Sequence, residues 1–388
     1  MSVTSAGLPA GARLVETPGH GKHARTLLAT MDGRRVAFCG DLIYGNGRLW
    51  NWFDADWDYG LQGGQQALLD SAQRLAREPL DLLCPAHGPV IENPAAALTR
   101  LIENLRAVLN GPSAACDTAP LLVATPADPA TGFRPLLPHL YQYLPDWGNC
   151  ALLRSDSGAG LLVDDGLCFW KPLPERAAHH RAVIAALKRS LSLDRIEMVI
   201  PTHYHGDHLE NIPELVALEG AEVVCLDIVA DVIEQPDRFN LACELPWYGT
   251  NADTIKVDRR VPSGTRLRWR EYELEIFHLG GQTYYHAGIA TVVDGQRVIF
   301  VGDSVNASPG VEPVLTYNDN EPATRGWLYA VERLIERRPD LLVCGHAAAV
   351  RSPGEILELK RRLWREQVER YRRLSARDNL RLFFDPFV

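Results

Sequence analysis

Short apolar runs alternate along the chain with longer segments in which apolar and charged residues recur at helical spacing. The largely apolar runs over residues 160–163, 196–200 and 298–301 are followed by aspartate, proline or glycine, which predicts buried strands that end at a turn. Segments over 175–190 and 353–374 carry apolar residues every three or four positions, which predicts helices. This alternation of strands and helices indicates an α/β fold.

The chain also contains an internal repeat. The segment that ends at Asp41 has the same pattern as the segment that ends at Asp303, at a constant offset of 262 residues and without gaps. The segment that ends at His87 matches the one that ends at His346, at an offset of 259 residues. In each copy, a charged helix with apolar residues at helical spacing is predicted to follow.

The two copies differ in length. A long stretch precedes the second copy, and the first copy has no counterpart to it. The sequence therefore predicts a partial N-terminal module over residues 1–112, a linker rich in proline and alanine over 113–132, and a complete domain over 133–388.

Four potential metal ligands lie within six residues, directly after the run 196–200: His203, His205, Asp207 and His208. His203 and His205 are two residues apart, so in an extended segment their side chains project to the same side. Asp207 is also a plausible N-cap for the helix predicted to follow. Mixed nitrogen and oxygen ligands suit zinc best, with manganese and iron as alternatives. A solvated loop rich in histidine is the less favoured interpretation.

The repeat indicates where further ligands lie. Asp303 follows the apolar run 298–302, and His346 follows another apolar run, 341–345. Side chains at the ends of parallel strands lie at the rim of a sheet, where binding sites form. Taken alone, each of these residues would be an ordinary turn residue, but together with the histidine cluster they predict one metal site.

In its order of motifs, the chain resembles the metallo-β-lactamase superfamily of metal-dependent hydrolases. The resemblance rests on H-x-H-x-D-H, then an aspartate after an apolar strand, then a histidine after another, and it extends over 133–388. It implies an αββα sandwich with one or two zinc ions at one edge, iron or manganese being alternatives. The implied ligands are His203, His205 and a third histidine in one site, and Asp207, His208 and His346 in the other, with Asp303 bridging. Asp207 would also steer the proton during catalysis.

The third histidine of that pattern is replaced here by Gln282. An amide oxygen is a weaker zinc ligand than an imidazole, so we expect the first site to bind metal less tightly. Three outcomes stay open: Gln282 coordinates through its oxygen, His286 substitutes for it, or the first site stays empty and one metal binds. We expect His286 to orient a ligand rather than to bind the metal itself.

The N-terminal module keeps His20, Asp41 and His87 at the positions equivalent to Gln282, Asp303 and His346, but no H-x-H-x-D-H precedes them. We therefore expect this module to be catalytically silent. A half-sandwich leaves the inner face of its sheet uncovered, so this face should pack against the complete domain or against a second chain. The module is thus a candidate for homodimer formation.

The predicted function is a metal-dependent hydrolase that uses an activated water on a small-molecule ester, lactone, thioester, amide or phosphoester. The candidates for substrate contact lie in loops after the ligand-bearing strands: Tyr284, Tyr285, Asn306 and Tyr317. The alternatives are a metal-binding scaffold or subunit that has lost catalysis, and a mononuclear iron enzyme of the same fold.

Composition narrows the class of protein further. With 40 basic and 49 acidic residues the formal net charge is −9, which argues against a broad nucleic-acid or anionic-membrane surface. No segment has the pattern of a membrane-spanning helix or an export signal. The eight cysteines include no C-x-x-C pair and are expected to be reduced, so we expect a cytoplasmic location.

Overall fold

The computed structural model describes residues 8, 11–55, 63–145, 150–169, 171–239, 255–311 and 321–384. Within these residues the chain forms three β-sheets flanked by helices, so the predicted α/β fold is confirmed. No helix of this part of the chain has the length and apolar character needed to cross a membrane.

The first sheet belongs to the N-terminal module and has the strand order β1-β2-β3-β4. Its strands are β1 (Arg13–Glu16), β2 (Arg25–Met31), β3 (Arg34–Gly40) and β4 (Leu82–Pro85). Neighbouring strands are antiparallel except for β3 and β4, which are parallel and connected through helix α1 (Gly63–Leu75). Helix α2 (Pro94–Asn110) follows, with Asn93 accepting a hydrogen bond from the amide of Ala96 as its N-cap.

The second sheet has the order β11-β10-β9-β8-β7-β6-β5. Its strands are β5 (Phe133–Leu137), β6 (Leu140–Tyr143), β7 (Cys150–Arg154), β8 (Ala159–Val163), β9 (Arg195–Ile200), β10 (Glu222–Leu226) and β11 (Arg259–Val261). The helices of this region are α3 (Leu173–Leu191), α4 (Gly206–Leu209), α5 (Ile212–Glu219) and α6 (Asp227–Glu234). Helix α3 corresponds to the helix predicted over 175–190.

The third sheet runs in chain order from β12 to β17. Its strands are β12 (Thr265–Trp269), β13 (Tyr272–His278), β14 (Ala287–Val293), β15 (Gln296–Gly302), β16 (Leu341–Cys344) and β17 (Val350–Arg351). Its helices are α7 (Trp327–Arg337), α8 (Gly354–Leu374) and α9 (Leu380–Phe384). Helix α8 corresponds to the helix predicted over 353–374.

All three sheets contain the same βββαβ unit: three antiparallel strands, a helix, and a fourth strand parallel to the third. The unit consists of β1–β3, α1 and β4 in the first sheet, of β6–β8, α3 and β9 in the second, and of β13–β15, α7 and β16 in the third. The first unit belongs to the N-terminal module, and the other two belong to the complete domain.

The first and third units also agree in register. Strands β3 and β4 pair Gly40 with Pro85, strands β15 and β16 pair Gly302 with Cys344, and both ladders shift register just before these pairs. The β2–β3 hairpin turns at Asp32-Gly33 and the β14–β15 hairpin turns at Asp294-Gly295. All four residues have a positive φ, as this type of tight hairpin turn requires. This agreement supports the interpretation of the N-terminal module as a partial repeat.

The described residues form two hydrophobic cores. The first contains residues of both sheets of the complete domain, including Ile289 and Phe300 from the third sheet. The second joins the other side of the third sheet, helices α7 and α8, and the helices of the N-terminal module. At this contact the side chain of Gln367 in α8 donates a hydrogen bond of 3.0 Å to the carbonyl of Val108 in α2. The N-terminal module is therefore attached through its helical side.

Candidate metal centre

The predicted ligands follow the ends of strands from both sheets of the complete domain, and their side chains come together there. His208, from the segment after β9, has its Nε2 3.3 Å from Oδ1 of Asp303, which follows β15. His346, which follows β16, has its Nε2 2.9 Å from Oδ2 of Asp207 and 3.2 Å from Oδ2 of Asp303. The opposing sheets thus contribute to one cluster.

Among the described residues, two sets of side chains bring their ligand atoms within 4.8 Å of one another. They are His203, His208 and Asp303 in one set, and Asp207, His208 and His346 in the other. His208 is common to both sets, and Asp303 also contacts His346. His205 lies beside the first set, with its Nδ1 2.9 Å from Nε2 of His203.

Asp207 directs its carboxylate toward His346 and does not cap a helix. It lies inside the short helix α4, whose N-cap position is His205, whereas α5 begins after Asn211. The predicted capping role of Asp207 is therefore wrong: the chain makes a separate helical turn before α5 begins, so Asn211 and not Asp207 stands at the N-cap of that helix.

The carboxylates control the protonation of the imidazoles around them. Burial lowers the pKa of His346, but the carboxylates of Asp303 and Asp207 outweigh burial and raise that pKa to about 10. Burial is likewise outweighed at His208, whose pKa is raised well above its ordinary value by Asp303 and its acidic neighbours. Burial holds the pKa of His203 well below its ordinary value, so this ring is neutral with a lone pair available. The cluster thus attracts positive charge.

Asp164, directly after β8, orients two of the candidate ligand imidazoles and is not among the site residues predicted from the sequence. Its Oδ2 lies 2.8 Å from Nδ1 of His208 and accepts a hydrogen bond of 2.9 Å from the hydroxyl of Thr202. Because that hydroxyl proton points to Asp164, the Thr202 oxygen is left to accept from Nδ1 of His203 at 3.0 Å. Both rings therefore turn Nδ1 away from the cluster and Nε2 into it.

The repeat contained a signal for this residue. Asp164 follows the third strand of its βββαβ unit, as Asp303 and Asp41 follow the third strands of theirs. Imidazoles likewise follow the fourth strand in each unit: His203, His346 and His87. Comparison of all three units, rather than two, would have identified Asp164 from the sequence.

The loop after Asp164 fixes the backbone of the ligand segment. The amide of Asp165 donates a hydrogen bond of 2.7 Å to the carbonyl of His208, and its carboxylate lies 3.0 Å from Nε2 of the buried His180. A Cβ atom at Gly166 would lie 1.5 Å from the carbonyl oxygen of Asp207, so only glycine fits there. The ligand segment therefore packs directly on this loop.

His286 packs against the ligand cluster between the ring of His203 and strand β15. Its ring stacks on that of His203 at 4.2 Å between centroids, and its Nε2 lies 3.2 Å from the carbonyl oxygen of Val301 in β15. Burial lowers the pKa of His286 to about 3, so the ring is neutral and its Nε2 can donate to that carbonyl. This arrangement supports the expectation that His286 positions a ligand.

Gln282 faces the cluster through its amide group. Its Nε2 donates a hydrogen bond of 3.2 Å to Oδ2 of Asp303. In the described conformation this contact uses the amide nitrogen to hold a carboxylate. Gln282 is thus a neutral partner of Asp303, and the three outcomes named for it above stay predictions.

The candidates for substrate contact differ in exposure. Tyr284 is half-buried, with the guanidinium of Arg325 5.9 Å from its ring centroid. Tyr285 is completely buried in the first core, so it cannot contact a substrate without rearrangement, and the prediction for it is corrected. Asn306 uses its Oδ1 to accept a hydrogen bond from the amide of Ser308 in a local turn. Tyr317 lies outside the described residues.

The equivalent residues of the N-terminal module also converge, but they are more open. Nδ1 of His87 lies 2.7 Å from Oδ1 of Asp41, and Nε2 of His20 lies 3.4 Å from the other oxygen of that carboxylate. The side chain of His87 is 53% exposed, compared with 30% for His346. Within the described residues, neither close set of ligand atoms includes a residue of this module.

The residues of the complete domain fit a divalent cation. Imidazole nitrogens and carboxylate oxygens are the ligands that zinc, manganese and iron use in proteins. The burial of Asp303 and His208 places negative charge and oriented nitrogen lone pairs where a cation would be desolvated and held. The same rim carries the second set of side chains, so one or two ions can be held.

A family model described as the metallo-beta-lactamase superfamily matches residues 145–346, just over half of the chain. The chain belongs to this superfamily. The match ends at His346 and spans the H-x-H-x-D-H segment and Asp303, so it includes every predicted metal ligand. Membership of the metallo-β-lactamase superfamily places the chain among metal-dependent hydrolases and confirms the resemblance found in the sequence.

Solved structures of metallo-β-lactamases are also similar to the chain. A metallo-β-lactamase from Cronobacter sakazakii has 17% identity and a TM-score of 0.48, covering 64% of this chain and 97% of that one. The subclass B3 enzyme BJP-1 of Bradyrhizobium japonicum has 17% identity and a TM-score of 0.45, covering 63% and 95%. No curated protein sequence matches the chain. Family membership therefore rests on the match over residues 145–346.

Proposed function

We propose that this superfamily member is a hydrolase whose reaction takes place at Asp207, His208, Asp303 and His346. The observation that carries the proposal is the convergence of these side chains from two opposing sheets, with His346 within 3.2 Å of both carboxylates. In this proposal the N-terminal module over 1–112 is non-catalytic, and the complete domain over 133–388 is the enzyme.

His203 and His205 would hold one divalent ion, with Gln282 beside them, and Asp207, His208 and His346 would hold a second, with Asp303 within reach of both groups. Zinc is the proposed metal. When bound, such an ion acts as a Lewis acid and makes water nucleophilic near neutral pH.

Asp207 and Asp303 differ in surroundings, and this difference suggests their roles. Asp303 has a side chain that is only 4% exposed and is held between His208 and His346, which suits a residue that fixes the site. Asp207 has a side chain that is 15% exposed, so its carboxylate can also accept and return a proton from the solvent side. We propose Asp207 as the general base.

The proposed substrates are small molecules with an ester, lactone, thioester, amide or phosphoester bond. All of these develop negative charge on an oxygen in the transition state, which a cluster that gathers cations can stabilise. Tyr284 and Arg325, half-buried beside Gly281, are candidates for binding the rest of the substrate.

The test compares His346→Ala with His87→Ala, the equivalent residue of the N-terminal module. Metal content per chain is measured by elemental mass spectrometry after purification without added metal, and turnover is measured on a panel of ester, lactone and thioester substrates. We expect His346→Ala to lose bound metal and at least about 100-fold in turnover, and His87→Ala to keep both. Equal turnover of both variants and the wild type would contradict the proposal.

Gln282 favours a second candidate, a metal-binding scaffold without catalysis, because it holds Asp303 through a neutral amide where the superfamily pattern has a histidine. A Gln282→His variant separates the two candidates. An enzyme should change in turnover or metal stoichiometry when the imidazole is restored, whereas a scaffold should show no turnover before or after. The same elemental measurement distinguishes zinc from the iron of an oxidising enzyme.

A further inference from the structure

The sheet of the N-terminal module has an apolar face that is open to solvent. Two of the large apolar side chains that are most exposed in the described part of the chain lie there: Met31 at 51% and Phe38 at 40%. Residues on the other face of the same sheet, such as Ala37 and Leu83, are buried in the core shared with α1 and α2. In the part of the chain that the structure describes, one face is therefore covered by helices and the opposite one is not.

Strand register shows that the open face is a continuous apolar surface. Leu14, Leu27, Phe38 and Cys84 pair side by side across all four strands. A second row of Ala29, Val36 and Leu82 pairs next to it, and in this row Val36 is only 5% exposed. Cross-strand neighbours on one face of a sheet contact each other, so these rows form one patch.

The third sheet shows what this face contacts when it is covered. The row equivalent to Leu14, Leu27, Phe38 and Cys84 is Ile276, Ile289, Phe300 and Val343. Each of these four residues is less than 5% exposed because the second sheet packs against them. Phe300 is 2% exposed, whereas its equivalent Phe38 is 40% exposed. These exposures differ because the second sheet covers Phe300, whereas no sheet among the described residues covers Phe38.

The number of βββαβ units in the chain indicates which surface could cover the open face of the N-terminal sheet. In the complete domain, the βββαβ unit of the second sheet packs face to face against the βββαβ unit of the third. The N-terminal module is a third such unit, and the complete domain contacts it on its helical side through α2 and α8. Within the described residues this unit has no facing sheet, and the same unit of another copy would offer a surface of the matching kind.

We propose that the chain forms a homodimer in which the open faces of two N-terminal modules pack against each other around a two-fold axis. A two-fold interface uses the same patch on both partners, so the patch must be self-complementary. This patch meets that condition: its centre is apolar, and charged residues lie at its ends, with Glu16 3.9 Å from Arg25 at one end and Arg34 at the other. The proposal is independent of the metal centre.

The first test is the mass in solution of the full chain, measured by sedimentation velocity from about 0.5 to about 100 µM. The wild type should reach twice the 43.1 kDa of one chain. Phe38→Glu should raise the dissociation constant at least about thirtyfold, because a charge at the centre of an apolar interface is buried twice in a two-fold dimer. Phe38→Leu should remain dimeric.

The matched control is Val292→Glu, since Val292 is also an exposed apolar residue on a hairpin strand, at 56%, but lies in the third sheet. This variant should dimerise like the wild type. A wild type that is monomeric at every concentration, or a dimer that Phe38→Glu leaves intact, would overturn the proposal.

Alkylation of cysteines locates the interface independently of any variant. Cys84 lies in the apolar row and is partly exposed, whereas Cys116 is exposed in the linker. Alkylation of Cys84, followed by peptide mass spectrometry, should slow at least about fivefold as the dimer forms, while that of Cys116 should keep its rate. A rate for Cys84 that does not change with protein concentration would contradict dimerisation through this face.

Discussion

The N-terminal module and the third sheet of the complete domain contain the same βββαβ unit, but within the described residues only the third-sheet unit contributes to a close cluster of ligands. Asp303 and His346 follow the third and fourth strands of one unit, and Asp41 and His87 follow those of the other. In the complete domain the second sheet adds His203 and His208 and buries the cluster. In the N-terminal module no H-x-H-x-D-H segment exists, and His87 stays more than half exposed.

In this molecule, strand-end residues come together as a close set of candidate ligands where residues of an opposing sheet complete the set. The unit positions a carboxylate and an imidazole at the rim by its strand geometry alone. The desolvation that strengthens their electrostatics and the remaining nitrogen ligands come from the other sheet. The N-terminal module therefore shows what the βββαβ unit provides by itself, and the complete domain shows what the opposing sheet adds.

The largest expected difference between the two regions is in stability. Phe300→Ala removes a ring that is 2% exposed in the first core and should lower the free energy of unfolding by about 3–5 kcal/mol. Phe38→Ala at the equivalent, 40% exposed position should cost less than about 1 kcal/mol in dilute solution. Urea unfolding followed by circular dichroism measures both values.

Protein concentration sharpens this prediction. The cost of Phe300→Ala should not depend on concentration, whereas the cost of Phe38→Ala should grow as the dimer forms. Equal costs for the two variants in dilute solution would show that the faces of the two sheets are covered to the same extent.

A smaller difference is expected for the residues that orient the ligands. Asp164→Asn removes the negative charge that holds His208 and, through Thr202, His203, so metal affinity should fall by about 10- to 100-fold. Asp41→Asn, at the equivalent strand end of the N-terminal module, should leave that affinity unchanged. Competition with a chelator measures the dissociation constant for the metal. A loss of metal affinity in Asp41→Asn would contradict the expected difference between the two regions.

The smallest difference is expected at the two Asp-Gly hairpins. Asp294 holds Nδ1 of His139 at 2.6 Å and, by this hydrogen bond, raises the pKa of that imidazole, whereas the equivalent Asp32 is exposed. A pKa raised by folding stabilises the protein fully below the ordinary histidine value of about 6.5, and this contribution is lost as the pH rises through the raised value.

Asp294→Asn should therefore lower the free energy of unfolding by about 0.5–1 kcal/mol at pH 5 and by less at pH 9. Asp32→Asn should have no such pH dependence. Thermal unfolding at the two pH values measures the effect. An equal loss of stability at pH 5 and pH 9 would show that the charge of the His139 imidazole does not contribute.

Much of the site could be predicted from the sequence because its signals are local. The spacing of His203, His205, Asp207 and His208 is contained in six residues, and Asp303 and His346 stand directly after apolar strands. The side chains gathered at the cluster include all of these. Tyr285 was less predictable, because its position after a ligand-bearing strand suggested a loop residue and only packing shows that it is buried in the core.

The hydrogen bonds of Asp164 could not be deduced from local pattern. Asp164 and His208 are 44 residues apart, and the hydroxyl of Thr202 connects them to His203 only after β8 and β9 pair. The exposure of Phe38 is a similar case, since the apolar pattern of its strand resembles that of the strand containing Phe300.

The sequence by itself determined the repeat, the ligand types and the superfamily, because periodicity and motif spacing are properties of neighbouring residues. The tertiary structure alone decided which sheet faces which, and therefore which equivalent residues are buried together. The physical reason is that burial and ligand geometry depend on distances between segments far apart in the chain, and identical local patterns give different results when the facing surface differs.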